Sequence, residues 1–205
     1  MTKLSRRLLG GGGVFVLVFI ATIAAAQAPV RVRGVIENVD GKTLSVKARD
    51  GAMVRVKLTD DARVLTLDKK SLGDVKQGTF VGITAMPQPD GSQKAVEIHI
   101  FPEAMRGTGE GHYPWDLTPN STMTNGNIES QVVSNDGQSL VMKYKDGEKT
   151  ITVPANVEVV MFAPATAADI KPGEKFFVPR GKKLDDGAVE AGIIIIGSKG
   201  VDPPM

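Results

Sequence analysis

His99, Glu103, Glu110, His112 and Asp116 bring both histidines of the chain and three carboxylates into one stretch of 18 residues. Imidazole and carboxylate oxygen are the ligand types that zinc, copper or nickel take, so His99, Glu110, His112 and Asp116 form the candidate metal set. In the run Ile98-His99-Ile100 a period of two places His99 on the face opposite the isoleucines, where it could meet the segment after it. No pair in the set has a recognised ligand spacing, and Phe101 beside it suits a face packed against something. The alternative is therefore an ordered linker between two modules.

A second constellation is cationic. Arg31 and Arg33, Lys47 and Arg49, and Arg55 and Lys57 occupy alternate positions of three successive segments, which puts six cations on one outward face. From residue 30 to 101 there are 12 bases against 9 acids; from 123 to 205 there are 9 against 11. A basic β face can hold nucleic acid, but that needs aromatic rings interleaved among the charges, and none occurs between Pro29 and Thr79. The expectation is a solvated face, or one with a weak attraction to anionic lipid or polysaccharide, and no nucleic-acid partner.

The remaining chemistry is thin. Gly107-Thr-Gly109-Glu-Gly111 resembles a nucleotide-binding glycine loop only superficially, since it lies between Pro102 and Pro114 without a strand before it or a helix after it. Asn120-Ser121-Thr122 matches a glycosylation acceptor and reads more simply as a polar lead into the second module. Neither Gly-x-Ser-x-Gly nor His-Glu-x-x-His occurs, there is no phosphate loop, and the chain has no cysteine. A hydrolase would have to take its base from His99 or His112, and its site would be the segment between the modules.

What must position these residues is a repeat. From Val39 the chain reads Val-Asp-Gly-Lys-Thr-Leu-Ser-Val-Lys-Ala-Arg-Asp-Gly to Gly51, and from Asn135 it reads Asn-Asp-Gly-Gln-Ser-Leu-Val-Met-Lys-Tyr-Lys-Asp-Gly to Gly147. Asp-Gly between alternating runs is a strong hairpin signal. Ser71-Leu-Gly-Asp74-Val-Lys76-Gln-Gly78 matches Thr166-Ala-Ala-Asp169-Ile-Lys171-Pro-Gly173, each a hydroxyl three residues before Asp that can cap one helical turn before glycine ends it. Leu44, Val46 and Ala48 share a face, as do Val54, Val56 and Leu58, and Val96, Ile98 and Ile100. The unbroken run Ile193 to Ile196 suits a strand covered on both sides. The expected fold is all-β: two tandem small OB-like β-barrels of about five to six strands, each with one short helical turn. The expected modules are residues 30–101 and 123–197, joined by a linker at 102–122 and completed by a tail at 198–205.

Residues 1–26 read as a signal peptide. Lys3, Arg6 and Arg7 precede an apolar and glycine stretch, and small residues come next in Ala24-Ala25-Ala26-Gln27-Ala28. A spanning helix is the rival reading, but Gly10 to Gly13 weaken a helix by about 1 kcal/mol each relative to alanine. Ser5-Arg6-Arg7-Leu8-Leu9 also resembles a twin-arginine signal. The expected compartment is the periplasm. With the signal and its three bases removed, the formal charge of +2 becomes 22 bases against 23 acids, so the apparent basicity belongs to targeting. Without cysteine there are no disulfides, no lipoprotein anchor and no thiolate metal site.

Gly34-Val-Ile, Asp40-Gly41, Leu44-Ser-Val46, Asp50-Gly51, Asp74-Val-Lys76-Gln-Gly78 and Asp90-Gly-Ser-Gln-Lys-Ala-Val-Glu-Ile-His-Ile100 together resemble an exported bacterial OB-like domain family of unknown function. The resemblance covers nearly the whole mature chain, including the linker from Phe101 to Leu117. It is looser in the second copy, where Pro154 and Pro172 interrupt and the Gly-Val-Ile lead is missing. Some relatives in that family carry the label of a metal-transporter permease; a permease needs several spanning helices, and only the signal is hydrophobic enough. The resemblance implies no catalytic residues. The functional expectation is an exported, non-enzymatic binding or accessory protein. A periplasmic metal-binding accessory and a linker-sited hydrolase are the alternatives, and any specific partner is expected at the junction of the modules.

Overall fold

A computed structural model describes residues 28–134, 137–198 and 200–203; the expected signal and the Asn135-Asp136 turn lie outside them. The first half contributes β1 (Val30–Asp40), β2 (Thr43–Ala48), β3 (Met53–Lys70), β4 (Phe80–Pro87) and β5 (Gln93–Ile100). A short β6 (Gly111–Pro114) comes after it. The second half adds β7 (Thr122–Ser134), β8 (Gly137–Tyr144), β9 (Gly147–Val153), β10 (Glu158–Ala165), β11 (Lys175–Lys183) and β12 (Val189–Ile196). Three 3-10 turns are the only helical pieces among the described residues, and none is long enough to cross a membrane. The fold is all-β.

β12, β11, β1, β2 and β3 pair in that order, and β3 returns to β12 in parallel, which closes a five-stranded barrel. Its interior holds Val32, Ile36, Leu44, Val46, Val56, Phe176, Val178, Ile194 and Ile196. The other strands take the path β5-β4-β7-β8-β9, whose ends meet through two parallel pairs, Gln93 with Ile151 and Lys94 with Thr152. This path encloses Val81, Ile83, Ile98, Ile100, Ile128, Leu140, Met142, Ile151 and Val153. A third cluster lies outside both, formed by Leu67, Phe80, Phe101, Met123, Val160, Phe162, Phe177 and Ile195. The isoleucine run of β12 explains itself here: Ile194 and Ile196 face the barrel interior while Ile193 and Ile195 face this third cluster.

Each closure draws strands from both halves. Residues 30–101 do not close on themselves, because β4 and β5 join β7, β8 and β9, while β11 and β12 join β1, β2 and β3. The 18 residues of β3 carry the chain over roughly 60 Å of strand, out of the barrel and along β10, with which it makes seven antiparallel pairs. In the second half Pro154 cannot donate to a ladder, and there the chain breaks into β9 and β10.

Two contacts between the halves have the same geometry. Ile36 N donates to Glu174 O at 2.9 Å and Gly173 N to Ile36 O at 2.7 Å; Ile128 N donates to Thr79 O at 3.0 Å and Gly78 N to Ile128 O at 2.8 Å. Gly126-Asn127-Ile128 therefore takes the place that Gly34-Val35-Ile36 holds in the first half, and the lead expected to be missing is present with Asn at its centre. A Cβ on Gly34 would lie 2.0 Å from Lys47 O and one on Gly126 2.5 Å from Lys143 O, so both positions require glycine. Val96 departs from its expected face. The β4–β5 register slips between Thr84 and Ala85, and the extra residue in β5 is exposed instead of joining Ile98 and Ile100.

Candidate functional site

Register decides where the histidines go. Residues paired directly across antiparallel strands point to one face. His99, Gly82 and Asn125 form one such row across β5, β4 and β7, with Gly111 of β6 at its end, and the adjacent row is Ile98, Ile83, Thr124 and His112. The two histidines thus lie on opposite faces of the same four strands. His99 faces the third cluster, with its ring edge-on to Phe101 and Phe162 at 4.9 and 5.2 Å. His112 faces the interior side, where Nδ1 shares a hydrogen bond of 2.8 Å with Thr124 Oγ1 and the ring stacks on Tyr144. Burial, and then the charge of Lys149, hold His112 below the usual histidine range.

The carboxylates of the candidate metal set are elsewhere. Glu110 is exposed, and Asp116 accepts a hydrogen bond from Arg33. The structure does not bring His99, Glu110, His112 and Asp116 together, and among the described residues no group of three or more acids and histidines could hold a metal ion. The residue beside His99 is Glu97. Its Oε1 lies 3.1 Å from His99 Nδ1, and its Oε2 accepts from Thr84 Oγ1 at 3.1 Å. At the other edge of the ring, Nε2 lies over Gly82, close to Asn125 Oδ1, which has no hydrogen-bond partner. Asn125 Nδ2 donates to Thr108 O and to the Tyr113 hydroxyl. Glu97 and Asn125 carried no signal in the sequence, because a polar residue in an alternating strand reads as solvent-facing.

The cationic set divides. Arg55 and Lys57 both reach Asp186 in the turn between β11 and β12, at 3.4 and 2.9 Å. Arg31, Arg33, Lys47 and Arg49 converge instead, and Lys175 joins them. Val35 pairs with Lys47 on one side and Lys175 on the other, so the two lysines flank it on the outer face of the barrel. Arg33 pairs with Phe177, and Arg49 N donates to Arg33 O. Arg33, Lys47, Arg49 and Lys175 line a cavity of about 520 Å³, with Asp202 and Pro203 of the tail at its edge.

Arg33 is only 7% exposed. Burial pulls its pKa down to about 10 against the opposing pull of Asp116, so it stays charged at neutral pH. Two aromatic faces back the cations: the Arg33 guanidinium lies 3.9 Å from the Phe177 ring centre, and that of Arg31 4.0 Å from Trp115. No family model, curated protein or solved structure matches this chain. The geometry alone must carry the functional reading.

The rings absent from the first 50 residues after Pro29 therefore arrive from other parts of the chain. Trp115 was legible as the lone tryptophan of the linker. Lys175 and Phe177 were not, since nothing in the sequence states that β11 lies against β1. The glycines of the linker serve a turn: Gly107 and Gly109 have φ of 81° and 60°, a conformation other residues rarely adopt. Asn120 takes φ 63° in the next turn, before β7. Chemically, the cavity offers several cations on a concave wall, with the Arg33 guanidinium backed by an aromatic face, which suits the capture of an oxyanion.

Proposed function

We propose that this is an exported, non-enzymatic binding or accessory protein of the periplasm that takes an oxyanion-bearing ligand in the cavity beside Arg33. The observation that carries this reading is the convergence of Arg31, Arg33, Lys47, Arg49 and Lys175 against two carboxylates, Asp116 and Asp202. Four of these cations, Arg33, Lys47, Arg49 and Lys175, line the concave site, and the most buried, Arg33, is held between a carboxylate and an aromatic face. Guanidinium groups so fixed lose little freedom when they grip a carboxylate, sulfate or phosphate. The n-region, apolar stretch and small-residue end of residues 1–26 support export.

The scaffold is proposed to be two OB-like barrels in tandem that exchange their last hairpins. The order of three strands, a capped turn and two strands in the first half supports this, as does the same order in the second half with its third strand broken at Pro154 into β9 and β10, and so do the parallel closures β3–β12 and β5–β9. Among the described residues the hydroxyl that meets His112 is that of Thr124, which is fully buried, so the hydrolase alternative gains no support from it. The metal-binding alternative gains no support beyond residue type.

The test is calorimetric titration of the mature chain with oligogalacturonate and, separately, with vesicles containing anionic lipid. Binding at low ionic strength is expected, with a loss of roughly tenfold in affinity when salt is raised severalfold. The double variant Lys47→Ala, Arg49→Ala should lose binding, whereas Arg55→Ala, Lys57→Ala should match the native protein. No binding of either probe at low salt, or equal losses in both double variants, would overturn the assignment.

A further inference from the structure

The chain already places a carboxylate in the cationic site. Asp116 Oδ1 accepts from Arg33 Nη1 at 2.7 Å and lies 3.9 Å from Arg31 Nη1. The next residue adds a second contact, since the Leu117 carbonyl accepts from Arg49 at 3.3 Å. Trp115, the residue before, lies under the Arg31 guanidinium. Three successive residues of the linker therefore occupy three of the five converging cations, one by ring, one by carboxylate and one by carbonyl.

This seat is incompletely satisfied. Trp115 Nε1 is buried without a hydrogen-bond partner, which disfavours the docked position. Asp116 is itself 45% exposed, so water reaches the pair and screens it. Lys47 on the cavity wall is exposed, with no acid within ion-pair distance among the described residues. An arriving anion would meet Lys47 and Arg49 first and Arg33 last.

We propose that Asp116 is a built-in competitor at this site: its carboxylate stands where a ligand carboxylate binds, and a slender carboxylate-bearing chain displaces the Trp115-Asp116-Leu117 segment on binding. The inference rests on the anion-binding reading above. The occupant of the seat is a carboxylate carried by an extended chain, and its chemistry points to the class of ligand. A flat anionic bilayer cannot reach Arg33, which is buried where it lines the cavity; a narrow polysaccharide with uronate groups can.

Trp115 is the single tryptophan of the chain, so its emission reports the position of this segment directly. The experiment titrates oligogalacturonate into the mature protein at low ionic strength, monitoring heat and tryptophan emission together. The emission is expected to change with the same midpoint as the heat. Asp116→Asn is expected to bind about fivefold more tightly, as removal of a competing internal state should do, while Asp116→Glu stays near the native affinity.

Binding with unchanged Trp115 emission would overturn the competitor, as would an Asp116→Asn variant that melts like the native protein and binds no better. If that variant unfolds, the emission of the native protein still decides. Binding to anionic vesicles but not to oligogalacturonate would overturn the ligand class. Absence of binding to both probes would remove the anion-binding reading and this inference with it, which distinguishes the two failures.

Discussion

Gly82→Ala tests the packing of the junction most directly. A Cβ at this position would stand 2.1 Å from His99 Nε2, 2.3 Å from His99 Cε1 and 2.5 Å from Asn125 Oδ1, all well inside van der Waals contact. The imidazole has little freedom to retreat. Its Nδ1 is held by Glu97, and Phe101 and Phe162 lie against it. Overpacking a site of this kind costs about 1–3 kcal/mol, and the upper half of that range applies where two neighbours are rigid. For a chain of this size each kcal/mol moves Tm by about 2–4 °C, so a fall of roughly 4–12 °C is expected in a thermal melt.

A double-mutant cycle isolates the cause. In the His99→Ala background the two nearest ring atoms are gone, and Gly82→Ala should cost less there by about 1–2 kcal/mol. Urea melts of the four proteins give that coupling. A melting temperature within about 2 °C of the native protein, or an equal loss in both backgrounds, would refute the placement of the ring over Gly82.

Two pH dependences arise from the shifted groups. His112 is depressed by burial, so between its folded pKa and the unfolded value of about 6.5 the unfolded chain binds the proton more readily. Stability should fall as pH drops from neutrality through that window, and His112→Asn should flatten the fall; equal urea-midpoint slopes in both proteins would count against it. Asp74 and Asp169 are held below the usual carboxylate range by the backbone N–H and then the hydroxyl of Ser71 and Thr166 respectively. Their contribution is complete above the ordinary aspartate pKa and is lost as pH falls through the folded value. Carboxyl-carbon NMR titration should show both midpoints low, each moving part-way back in Ser71→Ala and Thr166→Ala, and ordinary midpoints in the native protein would contradict the capping geometry.

What the sequence disclosed was local. The Ser71/Asp74 and Thr166/Asp169 caps form as their spacing implies, because all the groups involved lie within four residues. Leu44, Val46, Ile98 and Ile100 are buried as alternation requires. Val96 fails because a bulge resets the parity of a strand, and one extra residue leaves no mark in composition. The histidines fail as a pair for a related reason. Their faces depend on the register of β5, β4, β7 and β6 together, and the chain carries no record of how four strands align. The cations of β1 and β2 were legible as a set, but the pairing of Arg55 and Lys57 with Asp186 depended on a turn 130 or so positions away.

The pairing of strands across the two halves was not legible, and the side chains at these contacts bear on the proposed exchange of hairpins. Arg33 of β1 faces Phe177 of β11, and at the corresponding place in the other contact Asn125 of β7 faces Gly82 of β4. Suppose each half kept its own hairpin. Gly82 would then lie beside Arg33, removing the ring against which the buried guanidinium rests, and Phe177 would lie beside Asn125, with His99 carried away on β5 together with Gly82. The first change is unfavourable, by loss of an aromatic face. Lys175 would also leave the cationic face, with Phe80 in its place. The cavity proposed to bind an anion therefore draws on both halves: its arginines and Lys47 come from the first, and Lys175 and the ring of Phe177 behind Arg33 come from the second.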